Sequence, residues 1–161
     1  MSTGNSLLGT LGSGEKVFDR IHSHAHKISQ ELLAEALAKI IANGEEFLAC
    51  EVDFGRTVGE SVCVATKLDD EIVYAQRIRR CGLTRFVKNR QAEPTKHAVI
   101  ILKKRNEGGY LLITAFVGRK SEHEPWDKNA GEKSLEFWKH NALIWGSEPV
   151  VSGTETKECP W

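Results

Sequence analysis

HAVIILKKRNEGGYLLITAFV, residues 97–117, decides the reading of the fold. Two apolar runs, His97–Leu102 and Tyr110–Val117, flank the polar stretch Asn106-Glu107-Gly108-Gly109. Both runs have strand length and β-forming residues, and the glycine-containing stretch between them is a hairpin turn signal. Each run is almost continuously apolar rather than alternating. Both strands are therefore predicted to be central and covered by a helix on one face.

The covering helix is sought upstream. Ile28, Leu32, Leu33, Ala36, Leu37, Ile40 and Ile41 recur at the spacing of one helix face. The pattern predicts a helix from about Lys16 to Ala42, interrupted near His22–His26, with Ser29 capping the second part and Asn43-Gly44 as the stop. Short strands follow at Phe47–Phe54, Ser61–Ala65, Ile72–Gln76 after the Asp69-Asp70 turn, and Leu83–Val87 after Gly82. Residues 121–134 read as a polar loop, Leu135–His140 as a helical turn and Ala142–Trp145 as a short apolar return. Residues 1–14, rich in Gly, Ser and Thr, read as flexible, and 151–161 as a tail. The expectation is one α+β domain over 15–150, an N-terminal helix or helix pair packed on an antiparallel sheet of about four to six strands.

Charge is unevenly placed. Residues 74–105 hold ten of the 22 basic side chains and a single carboxylate, Glu93, in a chain whose formal net charge is zero. Clustered cations attract phosphates and release counterions, so RNA or DNA is the first partner class. The competing reading is a solvated face, or pairing with the acidic remainder of the chain or of a second subunit. Other classes lose weight. No apolar run reaches the length of a membrane span, and the N-terminus lacks the basic and apolar regions of a secretory signal. Cys50, Cys63, Cys81 and Cys159 contain no C-x-x-C pair, which argues against a zinc ribbon and for reduced thiols in a cytoplasmic protein. Phosphate-loop, dinucleotide and nucleophile-elbow motifs are missing.

Several groups carry candidate chemistry. Thr84, Arg85, Lys88 and Arg90 cluster in GLTRFVKNR. On an extended strand Arg85 lies on one face and Thr84, Phe86 and Lys88 on the other. Cations would hold a phosphate and neutralise developing charge, and a hydroxyl would orient it. The bland alternative is a sheet edge guarded by Lys and Arg. His97, next to Lys96, is a candidate general acid or base, or a structural histidine. Thr114 inside YLLITAFV needs a partner if buried, either backbone or phosphate. Among His22, His24 and His26, only the first and last share a helix face. They would hold zinc only with a third ligand, or would serve the basic site as acid/base groups. Glu122, Glu124 and Asp127 do not have metal-loop spacing. Trp126 is a stacking platform for a base or a lid on the core. No metal and no cofactor is expected.

The order Thr84–Arg90, HAVIIL, YLLITAFVG resembles the metal-independent nuclease superfamily that unites barnase, EndoU, colicin ribonucleases and RelE-type toxins. It is most similar to the phage and polymorphic-toxin branches, where Thr114-Ala115-Phe116 matches a Thr-Ala-aromatic run on a late strand. The resemblance covers about residues 16–118. It implies a helical part on a four-stranded antiparallel sheet and RNA cleavage by the ribose 2′-hydroxyl, leaving a cyclic phosphate. It implies Arg85 and Lys88 as phosphate binders with Arg80 in support, His97 as acid/base group and Thr114 as phosphate-orienting group. Where the toxin branches carry a His near the first basic strand, this chain reads CGLTRF.

The leading expectation is thus an RNA-binding protein acting as an endoribonuclease through Arg85, Lys88, His97 and Thr114. Arg77, Arg80, Thr84, Arg90, Lys96 and Trp126 would hold the substrate. The alternatives are a non-catalytic module for nucleic acid or another acidic partner, and a self-associating domain. Beside RNA, a protein partner such as an inhibitor fits the endoribonuclease reading.

Overall fold

The structure is a computed structural model that describes residues 6–19 and 28–161. In chain order the elements are β1 (Leu7–Thr10), β2 (Lys16–Phe18), α1 (Gln30–Ala38), β3 (Phe47–Asp53), β4 (Gly59–Ser61), β5 (Cys63–Ala65), β6 (Ile72–Gln76), β7 (Leu83–Val87), β8 (Glu93–Thr95), β9 (His97–Lys104), β10 (Tyr110–Val117), α2 (Glu132–His140) and β11 (Asn141–Ile144). The strands form a five-stranded sheet β1-β2-β10-β9-β3, a four-stranded sheet β5-β11-β7-β6 and a two-stranded pair β4-β8. The chain divides into two compact units, Met1–Gly59 with Pro94–Lys120, and Glu60–Glu93 with Ser121–Trp161.

In the first unit β9 and β10 pair antiparallel through a hairpin, and β9 pairs antiparallel with β3 on its other side. The turn needs its glycines. Gly108 and Gly109 have φ of 99° and 74°, a region that L side chains rarely adopt. A Cβ on Gly109 would also stand 2.5 Å from the Lys16 carbonyl oxygen. Helix α1 covers one sheet face, joining Leu33, Ala36 and Leu37 to Val17, Ile100, Leu102, Tyr110 and Leu112 in one core. Full burial of each such large side chain stabilises by about 1.5–3 kcal/mol.

Ser29 caps α1 by accepting from the Leu32 N–H at 3.2 Å. The helix is shorter than its apolar pattern predicts at both ends. Lys16–Phe18 is a strand, because Val17 is fully buried in the sheet between β1 and β10. At the other end Gly12 N–H donates to the Leu37 carbonyl at 3.1 Å. Ser13 Oγ accepts from the Ala42 N–H at 2.8 Å. These bonds draw the chain out of the helix well before Asn43-Gly44.

In the second unit β6 and β7 form an antiparallel hairpin, β7 runs parallel to β11, and β11 pairs antiparallel with β5. Cross-strand alternation gives each face its own core. Cys63, Val73, Ala75, Phe86 and Leu143 pack with Trp138 of α2. Val64, Val87, Ala142 and Ile144 form a second cluster. Residues 151–161, read from the sequence as a tail, run along the outer edge of β6. Tyr74 and Thr156 exchange both backbone hydrogen bonds, at 2.7 and 2.8 Å, and Val151 N–H donates to the Gln76 carbonyl at 2.7 Å. Trp161 meets the Tyr74 ring edge-on at 5.5 Å.

The expected α+β layer pair is overturned. Among the described residues, eleven strands in three sheets and two nine-residue helices make a mostly-β fold. The Thr84–Arg90 strand does not join the β9–β10 sheet that the resemblance implied; β7 belongs to the four-stranded sheet instead. Residues 7–10, read as flexible, form β1. The sheets separate because β7 finds a parallel partner in β11, a strand placed far downstream. Among the described residues no helix is long and apolar enough to cross a membrane.

Candidate nucleic-acid interface

Arg77 follows the last residue of β6, and its guanidinium organises the second unit. Nε donates to Thr84 Oγ1 at 3.1 Å, Nη1 to Glu148 Oε2 at 2.7 Å and Nη2 to Glu124 Oε2 at 2.6 Å. Thr84 is fully buried, and the side chains of Arg77 and Glu124 are 15% and 7% exposed. Burial alone would lower the Arg77 pKa. The Glu124 and Glu148 carboxylates outweigh it and hold the guanidinium charged.

This network ties the β6–β7 hairpin to the loop that carries Trp126. The indole lies directly over Gly82, where a Cβ would come within 2.3 Å of Trp126 Cγ. Gly82 is thus required by close approach. The hairpin tip beside it reads Ile78-Arg79-Arg80-Cys81, all four exposed. A turn closes it, with Arg80 N–H donating to the Arg77 carbonyl at 3.2 Å. Gln76 Nε2 also donates to the Arg80 carbonyl, at 2.6 Å. Arg79 has φ of 65°, a left-handed conformation that costs a non-glycine residue about 1–2 kcal/mol.

The ten basic residues of 74–105 divide by environment. Arg77, Lys88, Arg90 and Arg105 are ion-paired, Lys88 with Glu155 at 2.6 Å and Arg105 with Glu107 at 2.8 Å. Arg85 Nη1 donates to the Trp138, Lys139 and Asn141 carbonyls at 3.1, 2.9 and 3.1 Å and to Thr66 Oγ1 at 3.2 Å, closing the end of α2. Lys103 lies over the Phe47 ring. Arg79, Arg80, Lys96 and Lys104 are exposed and make no ion pair among the described residues.

Arg90 donates to Asp70 Oδ2 at 3.0 Å, to the Ala65 carbonyl at 2.6 Å and to Glu93. Burial would raise the Asp70 pKa. The Lys67 N–H and the Arg90 guanidinium outweigh burial and hold it below the usual carboxylate range. A depressed folded pKa contributes stability that is complete above the unfolded value, about 3.9. That contribution is lost as pH falls through the folded value. Asp70→Asn should therefore lower the urea midpoint at neutral pH and lose that difference as the pH falls below the ordinary carboxylate range and through the folded value. A gap of equal size at both pH values would contradict this assignment.

The four residues assigned to cleavage belong to different units. Arg85 and Lys88 lie in the second, His97 and Thr114 in the first. Within the first unit His97 and Ile101 share a face of β9, and Thr114 sits opposite Ile101 on β10. His97 and Thr114 are thus about 13 Å apart along the strand. His97 Nε2 lies 3.7 Å from Asp53 Oδ2. Thr114 is half-buried and Lys96 exposed. Of the residues assigned to substrate, Arg77, Thr84, Trp126 and Arg80 come together at the hairpin, while Arg90 anchors the Asp70 turn. His22, His24 and His26 lie outside the described residues. Among the described residues no three His, Cys, Asp or Glu side chains cluster as metal ligands, and all four cysteines are unbridged.

Sequence reasoning missed Glu148, Glu155, Trp145 and Arg79. The first two are 71 and 67 residues from the cations they pair with, so no local window signals them. Neither a scan of family models nor searches of curated proteins and of solved structures return a match to this chain.

Proposed function

We propose that this protein binds single-stranded RNA through the β6–β7 hairpin tip. Arg79 and Arg80 would contact phosphates, and Trp126 would offer an indole face to a base. The observation that carries this reading is the contrast within one basic stretch. Arg77, Lys88 and Arg90 are consumed by carboxylates, whereas Arg79 and Arg80 project from a tightly held turn with no ion pair among the described residues. Holding two cations on a strained turn raises their local density without an internal partner. Stacking on an aromatic ring contributes about 1–3 kcal/mol per base and tolerates any sequence.

The test is fluorescence anisotropy with a labelled mixed-sequence RNA in EDTA, followed by analysis of the RNA ends. Salt-sensitive binding with intact RNA is expected. Salt-independent binding, or none, would overturn the proposal. A cleavage reading keeps one support, the half-exposed His97 imidazole beside the Asp53 carboxylate. Cyclic-phosphate ends formed in EDTA and abolished by His97→Ala would establish cleavage as the activity.

A further inference from the structure

The face of β7 that carries Thr84 and Phe86 continues to Lys88. Lys88 Nζ stands over the Trp145 ring, 4.7 Å from its centroid. Trp145 in turn meets Phe86 edge-on at 5.3 Å. A cation above a half-exposed indole is the pair of groups that a nucleotide uses, phosphate on the ammonium and base on the ring. Here the ammonium is occupied from within the chain. Glu155 Oε2 lies 2.6 Å from Lys88 Nζ, and both side chains are partly exposed, at 44% and 28%.

Glu155 is delivered by the segment that borders β6. Its neighbour Thr156 exchanges two backbone hydrogen bonds with Tyr74. Thr154 Oγ1 accepts from Gln76 N–H at 3.0 Å, and Trp161 packs edge-on against Tyr74. The segment thus lies as an added strand whose carboxylate falls on the Lys88–Trp145 pair.

From this we infer that Lys88 and Trp145 form a nucleotide subsite of the same RNA interface, and that residues 150–161 occlude it with Glu155 in the place of a phosphate. The inference rests on the RNA-binding reading. The segment is held at a sheet edge, with an exposed ion pair. Such interactions contribute little individually, so an RNA strand has a practicable competitor to displace. Apparent affinity at the subsite scales with the fraction of molecules in which the segment has moved aside.

The experiment compares RNA binding by the wild type, Glu155→Gln and Trp161→Ala, with Glu132→Gln on exposed α2 as a charge-matched control. Trp161→Ala loosens the segment without changing charge. Removing one edge-to-face ring interaction should raise the open fraction by about two- to ten-fold. Glu155→Gln and Trp161→Ala are each expected to tighten RNA binding by about three- to five-fold, with Glu132→Gln at wild-type affinity. Tightening by the two variants where wild type binds below detection supports the inference as well. Wild-type binding with no tightening, or equal tightening by Glu132→Gln, overturns it and leaves the hairpin-tip reading standing. No binding by any of the four proteins overturns the RNA-binding reading itself.

Discussion

Arg77→Ala is expected to lower folding stability by about 3–5 kcal/mol, the range for removing one partner of a buried ion pair. Glu124 is 7% exposed, and its Oε1 already has no protein hydrogen-bond partner. Loss of the Arg77 bond to Oε2 would leave the buried carboxylate without its cation partner. Thr84, fully buried, would lose the Nε donor at 3.1 Å at the same time. Glu148, at 33% exposure, can turn to water and contributes less. The measurement is urea unfolding. With a slope of about 1–3 kcal/mol/M, the midpoint should fall by about 1 M or more. Arg77→Leu combined with Glu124→Leu should recover most of that loss, because it removes both charges together. A single-variant loss below about 1 kcal/mol would show that Arg77 is a solvated surface residue. RNA binding should weaken in Arg77→Ala as well, since Glu124 anchors the loop that sets Trp126 on Gly82.

The second large effect has the opposite signature. Arg79→Gly with Arg80→Ala should weaken RNA binding by at least about ten-fold at about 0.1 M salt, since each charge-assisted hydrogen bond removed is worth about 1.5–3 kcal/mol. Stability should stay level or rise. Glycine adopts φ near 65° freely, and relief of that strain is worth about 1 kcal/mol. A variant that binds less tightly yet melts no lower separates an exposed contact from a structural one. Parallel loss of stability and binding would place these arginines with Arg77 as internal struts.

The sequence was most legible where local chemistry sufficed. The glycine turn at 108–109, the Asp69-Asp70 turn and the β-rich runs marked β6, β7, β9 and β10, and Ser29 marked the start of α1. Legibility failed where pairing was distant. Lys16–Phe18 shares apolar residues with the helix pattern, and only its place beside β10 makes it a strand. Whether β7 would join β10 or β11 depended on competition between long-range partners that no window contains. The candidate site shows the same division. The basic stretch was visible as composition. Which of its cations are spent internally depended on Glu124, Glu148 and Glu155, at separations of 47, 71 and 67 residues. Lys88 and Arg90, natural phosphate binders when read alone, are ion-paired within the chain, and Arg79, overlooked, is left open.

The most direct measurement is the salt dependence of RNA affinity for wild type and for Arg79→Gly/Arg80→Ala, from about 50 to 200 mM monovalent salt. Each phosphate neutralised on a single strand contributes about 0.7 to the steepness of log affinity against log salt. The expected result is a wild-type dependence that becomes shallower by about 1.4 in the double variant, the share of two phosphates. An unchanged slope, with the same affinity in both proteins, would contradict the assignment of the hairpin tip as the RNA-binding surface.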